Sequence, residues 1–126
     1  MAQQILLVGL GGCIGSVARY LVSTWVQSRS ASLFPFGTLA VNVLGCLLIG
    51  ALMGLSVERE SLSPNLRLLL VTGVLGGFTT FSAFGYETLA LALIEHQPWL
   101  ALANVATEVV LGLAAAWSGW WVVSHL

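Results

Sequence analysis

Four apolar runs, residues 5–26, 36–57, 65–94 and 99–123, make up most of this chain, and short polar segments join them. A helix needs about 20 apolar residues to cross the hydrocarbon core of a bilayer. Each run is that long. In lipid each must be helical, because a helix satisfies its own backbone N–H and C=O groups where no water can. Charged residues are 7% of the 126, far below the roughly 25% of a soluble domain. The expected fold is an all-α membrane protein, a single domain over residues 1–126 with four transmembrane helices per chain. The N-terminus, Met-Ala-Gln-Gln, lacks the basic segment of a signal peptide, so the first run reads as a span.

The third run is longer than a crossing requires, and residues 72–87 explain why. They read Thr-Gly-Val-Leu-Gly-Gly-Phe-Thr-Thr-Phe-Ser-Ala-Phe-Gly-Tyr-Glu. Gly73, Gly76 and Gly77 loosen the backbone, and Gly-Gly before the β-branched Thr79 and Thr80 continues a helix poorly. The third helix is therefore expected to be broken at its centre. A break at membrane depth occurs where the backbone is buried in protein or lines a cavity, and its exposed carbonyls can hold a cation. Phe78, Phe81 and Phe84 recur every three residues and share one face, with the hydroxyls of Thr79, Thr80 and Ser82 beside them and the Glu87 carboxylate after them.

Polar residues elsewhere are few. Arg19 sits inside span one, where a charge is either paired at depth or snorkels to the interface. In span two Thr38, Asn42 and Cys46 share a face, and Asn42 is either glue between helices or part of a polar path. In span four Asn104, Glu108 and Gly112 share a face, while Trp117, Trp120 and Trp121 belong to an interfacial aromatic belt. Gly11-xxx-Gly15 and Gly50-xxx-Gly54 suggest close helix packing. The run Val8–Gly15 has a superficial likeness to a dinucleotide loop, but no strand precedes it and no acidic residue follows at ribose distance. Cys13 and Cys46 read as small core residues. His96, beside Glu95 and Pro98 in a short loop, reads as exposed and not as a metal ligand.

No catalytic set is visible, so an enzyme is not expected. With no lysine and a net charge of -1, neither is a nucleic-acid partner. Four spans put both termini and the 58–65 loop on one side, with Arg59 and Arg67. Residues 27–34 and 95–98 lie on the other side with Arg29, toward which Arg19 leans. Two against two gives no preferred orientation, and such a chain can insert both ways and pair as an antiparallel homodimer. Glycine faces, a broken helix and neutral polar groups suggest passage of something small. Asn42, Thr80 and Ser82 can donate to an anion. The positive ring edges of Phe81 and Phe84 can face one, unless these rings are simply core or lipid-facing.

At three motifs in order the chain strongly resembles the Fluc family of bacterial fluoride channels, also called CrcB proteins. They are Gly11-Gly12-Cys13-Ile14-Gly15-Ser16-Val17-Ala18-Arg19-Tyr20, Gly37-Thr38-Leu39-Ala40-Val41-Asn42-Val43-Leu44-Gly45, and Gly76-Gly77-Phe78-Thr79-Thr80-Phe81-Ser82-Ala83-Phe84. The resemblance spans essentially the whole chain. It implies a dual-topology antiparallel homodimer in the bacterial inner membrane, with two fluoride pores that passively export fluoride and confer fluoride resistance. It also implies a structural Na+ ion at the dimer centre, held by backbone carbonyls matching Gly76 and Thr79. The implied pore residues are Asn42, Phe81 and Phe84, with hydroxyls at Thr80 and Ser82, an arginine at Arg19 and an acid at Glu87. Span four departs from the pattern. Where relatives carry small neutral polar residues or tyrosine, this chain has Asn104, Glu108 and Gly112, and an ionised Glu108 would repel an anion. Ala83 and Gly85 also replace common hydroxyl residues. A small multidrug-resistance transporter is the alternative of similar size and topology, but it uses an acid in span one, where this chain has only Arg19. A purely structural subunit would leave Asn42 and the 76–82 break without a reason.

Overall fold

The computed structural model describes residues 1–58 and 62–126. It has four membrane-length helices: α1 (Ala2–Gln27), α2 (Phe36–Glu58), α3 (Pro64–Ile94, interrupted) and α4 (Pro98–Ser124). All four are long and apolar enough to cross a bilayer, and the chain is a multi-pass membrane protein. Part of the loop assigned to residues 58–65, with Arg59 and its share of the charge balance, lies outside the described residues.

Local chemistry sets the helix ends. The Ser63 hydroxyl accepts from the Leu66 N–H at 3.3 Å, and Pro64 takes the first helical position, where its missing N–H costs nothing. Pro98 likewise takes the first position of α4, there without a side-chain cap. Between α1 and α2 the loop is pinned by Gln27. Its amide donates to the carbonyls of Ser32 and Phe34, and its oxygen accepts from the Gly37 N–H at 3.1 Å. Between α3 and α4 the turn passes through His96, exposed at φ 54°, the one non-glycine with positive φ among the described residues.

Small residues bring the helices together in two pairs. A Cβ on Gly15 of α1 would collide with the Val74 carbonyl oxygen and lie 2.9 Å from the Phe78 nitrogen, so α1 and α3 touch backbone to backbone. On the other side, Gly50 of α2 lies against the Ala116 carbonyl of α4, and Gly119 of α4 against the Leu47 carbonyl. Close approach gives dispersion contact that lipid cannot replace. Around these seams the outer surface is apolar. Leu6, Ile14, Leu21, Leu89, Val110 and Leu113 are each more than half exposed, as lipid-facing residues should be. Cys13 is also exposed, which corrects the expectation of a core residue, and Cys46 is half-buried; both are free thiols. Cys13 sits on the outer side of α1, between two glycines that face α3.

The third helix is interrupted as expected, at the two threonines of the Gly76–Ser82 stretch. Gly76 and Gly77 remain helical, and the chain extends at Thr79 (φ -85°, ψ 160°) and Thr80 (φ -152°, ψ 114°) before the helix resumes at Phe81. The ladder runs up to the Thr79 N–H, which still donates to the Leu75 carbonyl at 3.0 Å, and stops at Thr80, whose side chain caps the next helix instead. Thr79 Oγ1 donates to the Leu75 carbonyl at 3.0 Å, and Thr80 Oγ1 caps the second half by accepting from the Ala83 N–H at 3.3 Å. Leu68–Leu75 and Ala90–Ile94 are wound as wider π-helical turns, which the sequence pattern does not announce.

Candidate functional site at the broken third helix

A helix interrupted at membrane depth frees backbone groups that must find partners. At Thr80 the partner is one side chain. The Thr80 N–H donates to Asn42 Oδ1 at 2.8 Å, and Asn42 Nδ2 donates to the Thr80 carbonyl at 3.1 Å. Asn42 lies in the second turn of α2, and its amide works as a two-point clamp from the neighbouring helix. It joins two helices, and it also lines the cavity beside the break. Its second N–H is shared between Glu108 Oε1 and Oε2 at 3.2 and 3.1 Å.

The break also releases carbonyls. In a continuous helix the Gly76 carbonyl would receive the Thr80 N–H and the Thr79 carbonyl the Ala83 N–H. Those donors go instead to Asn42 Oδ1 and Thr80 Oγ1. Both carbonyls thereby lose their helical donors, and Gly76 is exposed on the surface of the chain. The Arg19 guanidinium, half-buried, donates to the Thr79 carbonyl at 3.4 Å. Arg19 is thus paired to the break across the α1–α3 seam and does not snorkel.

A cavity of about 400 Å³ opens beside the break. Asn42, Thr79, Thr80, Phe81, Phe84 and Glu108 line it. The rings of Phe81 and Phe84 lie 5.4 Å apart and tilted by 55°, so their edges and faces point in different directions. Phe81 is 83% exposed, which leaves this wall of the cavity open on one side of the chain. Ser82 is exposed, and its hydroxyl lies 3.4 Å from Thr80 Oγ1. Of the residues singled out in the sequence, Gly76, Thr79, Thr80, Phe81, Phe84 and Asn42 converge here, Ser82 borders them, and Arg19 reaches in from α1.

Glu87 stands apart. It lines a second cavity, about 380 Å³, that opens toward the Gln27 side of the molecule between Ser23, Thr38 and Glu95. Thr38 is buried and donates to Glu87 Oε1 at 2.8 Å, while Oε2 is buried with no hydrogen-bond partner. Below it Asn104, fully buried, donates to Thr88 Oγ1 at 2.9 Å, and Thr88 donates to the Phe84 carbonyl at 2.7 Å. A polar seam therefore runs between α2, the second half of α3 and α4. The four-residue spacings Thr38–Asn42–Cys46 and Asn104–Glu108–Gly112 mark its two outer faces. The sequence displays both faces, but not Thr88 between them, nor which polar groups meet.

A family described as "CrcB-like protein, Camphor Resistance (CrcB)" matches residues 6–120. The chain is 51% identical over 120 residues to the "Fluoride-specific ion channel FluC" of Sorangium cellulosum (strain So ce56), covering 94% of this chain and 93% of that protein. It is 53% identical over 117 residues to the protein of the same description from Solibacter usitatus (strain Ellin6076), covering 93% and 95%. With that of Rhizobium meliloti (strain 1021) it shares 49% over 118 residues, covering 93% of each. A family match across most of the chain, with relatives at about half identity over more than nine tenths of their length, places this four-helix protein with the broken third span in the CrcB family.

Proposed function

We propose that this chain is the subunit of a fluoride-selective ion channel, not an enzyme, that lets fluoride leave a bacterial cell passively across the inner membrane. The observation that carries the reading is the convergence of the Asn42 amide with Phe81 and Phe84 on one cavity at the break. Relatives at about half identity are described as fluoride-specific channels. A small anion stripped of water needs N–H or O–H donors and positive ring edges. Asn42, Thr80 and Ser82 offer the first, and Phe81 and Phe84 the second. Glu87 and Thr38 line the approach from the Gln27 side, and Arg19 fixes the break from behind.

The functional unit is an antiparallel homodimer with two pores, each chain crossing the membrane in opposite sense. The exposure of Phe81 and Gly76 supports this, since both would be covered by a second copy. A sodium ion at the centre would be held by the Gly76 and Thr79 carbonyls of both chains: the break frees Gly76 of its helical donor, and Thr79 would offer the lone pair that its contact with Arg19 leaves. When bound, the ion supplies positive charge to those carbonyl dipoles.

The test is fluoride efflux from liposomes holding the purified protein, followed with a fluoride electrode and with chloride as control. Rapid release of fluoride alone is the expected result, and no release from a well-folded dimer would refute the reading. Phe81→Ile and Phe84→Ile are each expected to cut fluoride flux at least about tenfold, the loss of one favourable anion contact of ~1.4 kcal/mol, with the dimer intact by size exclusion. Wild-type flux in both would remove the phenylalanines from the route.

A further inference from the structure

The Asn42 amide has two N–H donors, and both are engaged. One holds the Thr80 carbonyl and the other is shared by the two oxygens of Glu108. The amide cannot be turned round, because the Thr80 N–H needs an acceptor and finds Oδ1 at 2.8 Å. No donor of Asn42 is left for a passing anion, so one of its two partners must yield. Releasing Thr80 would strand a backbone carbonyl at membrane depth. Releasing Glu108 breaks a single shared hydrogen bond to a long side chain that borders the cavity and can swing within it.

The geometry points to Glu108 as a tethered anion. We propose that its carboxylate occupies the Asn42 donor which fluoride takes during passage, and so sets the fluoride concentration at which the pathway loads. This rests on the reading of Asn42, Phe81 and Phe84 as the route. Both Glu108 oxygens serve as acceptors for the same nitrogen, the arrangement an incoming fluoride would replace. Two negative charges do not share one donor, so arrival of fluoride drives the carboxylate away and departure lets it return. The step is an exchange of hydrogen bonds with no bond made or broken. It also gives the acid at 108 a role compatible with anion passage, since it stands in the anion's place and leaves when the anion comes.

The experiment is fluoride efflux measured over a series of fluoride concentrations for the wild type, Glu108→Gln and Glu108→Ser. Glu108→Ser is expected to lower the half-saturating concentration about tenfold, as a charge-assisted hydrogen bond ceases to compete. Glu108→Gln keeps an acceptor without the charge and should lower it less. In infrared difference spectra a carboxylate stretching band, identified by its loss in Glu108→Gln, should shift when fluoride but not chloride is added. A merely structural Glu108 would not respond in this way. An unchanged or raised half-saturating concentration in both variants, with a band indifferent to fluoride, overturns the proposal. If Phe81→Ile and Phe84→Ile still reduce flux in that case, the route stands without Glu108. If no variant at 81, 84 or 108 alters flux, route and proposal fall together. Should Glu108→Ser not fold, the near-isosteric Glu108→Gln decides.

Discussion

Asn42→Ala should both destabilise the protein and stop fluoride release. The substitution removes the acceptor of the Thr80 N–H and the donor to the Thr80 carbonyl at one stroke, and it leaves Glu108 without its partner. Each unsatisfied backbone group costs about 1–3 kcal/mol, so the two at Thr80 together cost ~2–6 kcal/mol. Thermal unfolding in detergent reads this as a large fall in Tm, and liposome efflux reads a loss of about a hundredfold or more, equivalent to ~2.7 kcal/mol. Asn42→Asp separates the causes. It keeps an acceptor for the Thr80 N–H but offers no donor to the Thr80 carbonyl and sets a second acid against Glu108. It should be as inactive as the alanine variant. A stable Asn42→Ala protein with wild-type efflux would show that the clamp is dispensable.

Gly15→Val should prevent folding of the α1–α3 pair. Its Cβ would fall on the Val74 carbonyl and within 2.9 Å of the Phe78 nitrogen, both backbone atoms with no rotamer to escape into. Overpacking against side chains costs about 1–3 kcal/mol. Here the helices themselves must separate, and with them the approach of Arg19 to Thr79. The expected outcome is loss of the monodisperse peak on size exclusion. Gly9→Ala is the control: nothing lies within 4 Å of a Cβ there, and alanine gains roughly 0.8–1 kcal/mol of helix propensity. If Gly15→Val elutes and melts like the wild type, the close backbone contact is not needed for the fold.

How much of the molecule is legible in its sequence depends on what each feature needs. The four spans follow from run length alone, because bilayer thickness leaves little freedom. Their observed ends differ from the expected ones by at most three residues. The break was legible in kind and in place to within a few residues, since it falls on the two threonines after Gly76-Gly77. Of the Gly-Gly and Thr-Thr pairs that mark it, the glycines stay helical because their neighbours pack closely: a Cβ on Gly77 would lie 2.5 Å from the Gly12 carbonyl. The Thr79 N–H still completes the ladder, and it is at Thr80 that the chain leaves the helix, its N–H going to Asn42. Asn42 and Glu108 each stood out as polar residues on a defined face. Their meeting was not legible, since it depends on the rotation of α2 against α4 set by Gly50, Gly119 and Ala116. Thr88 gave no signal at all, as a lone hydroxyl in an apolar run usually bonds within its own helix. This one does so and also receives Asn104.

The clamp has a consequence for the order in which the protein is made. Asn42 precedes Thr80 by 38 residues, whereas Glu108 follows Asn42 by 66. Chains grow from the N-terminus, so α1 and α2 reach the bilayer before the segment that cannot satisfy itself emerges. When Thr79 and Thr80 enter the lipid, Arg19 and Asn42 are already there to receive the stranded groups. The acid at 108 comes last, after the unsatisfied stretch has been housed. A permuted chain with α3 first would have to hold an open backbone in hydrocarbon until its partners were synthesised.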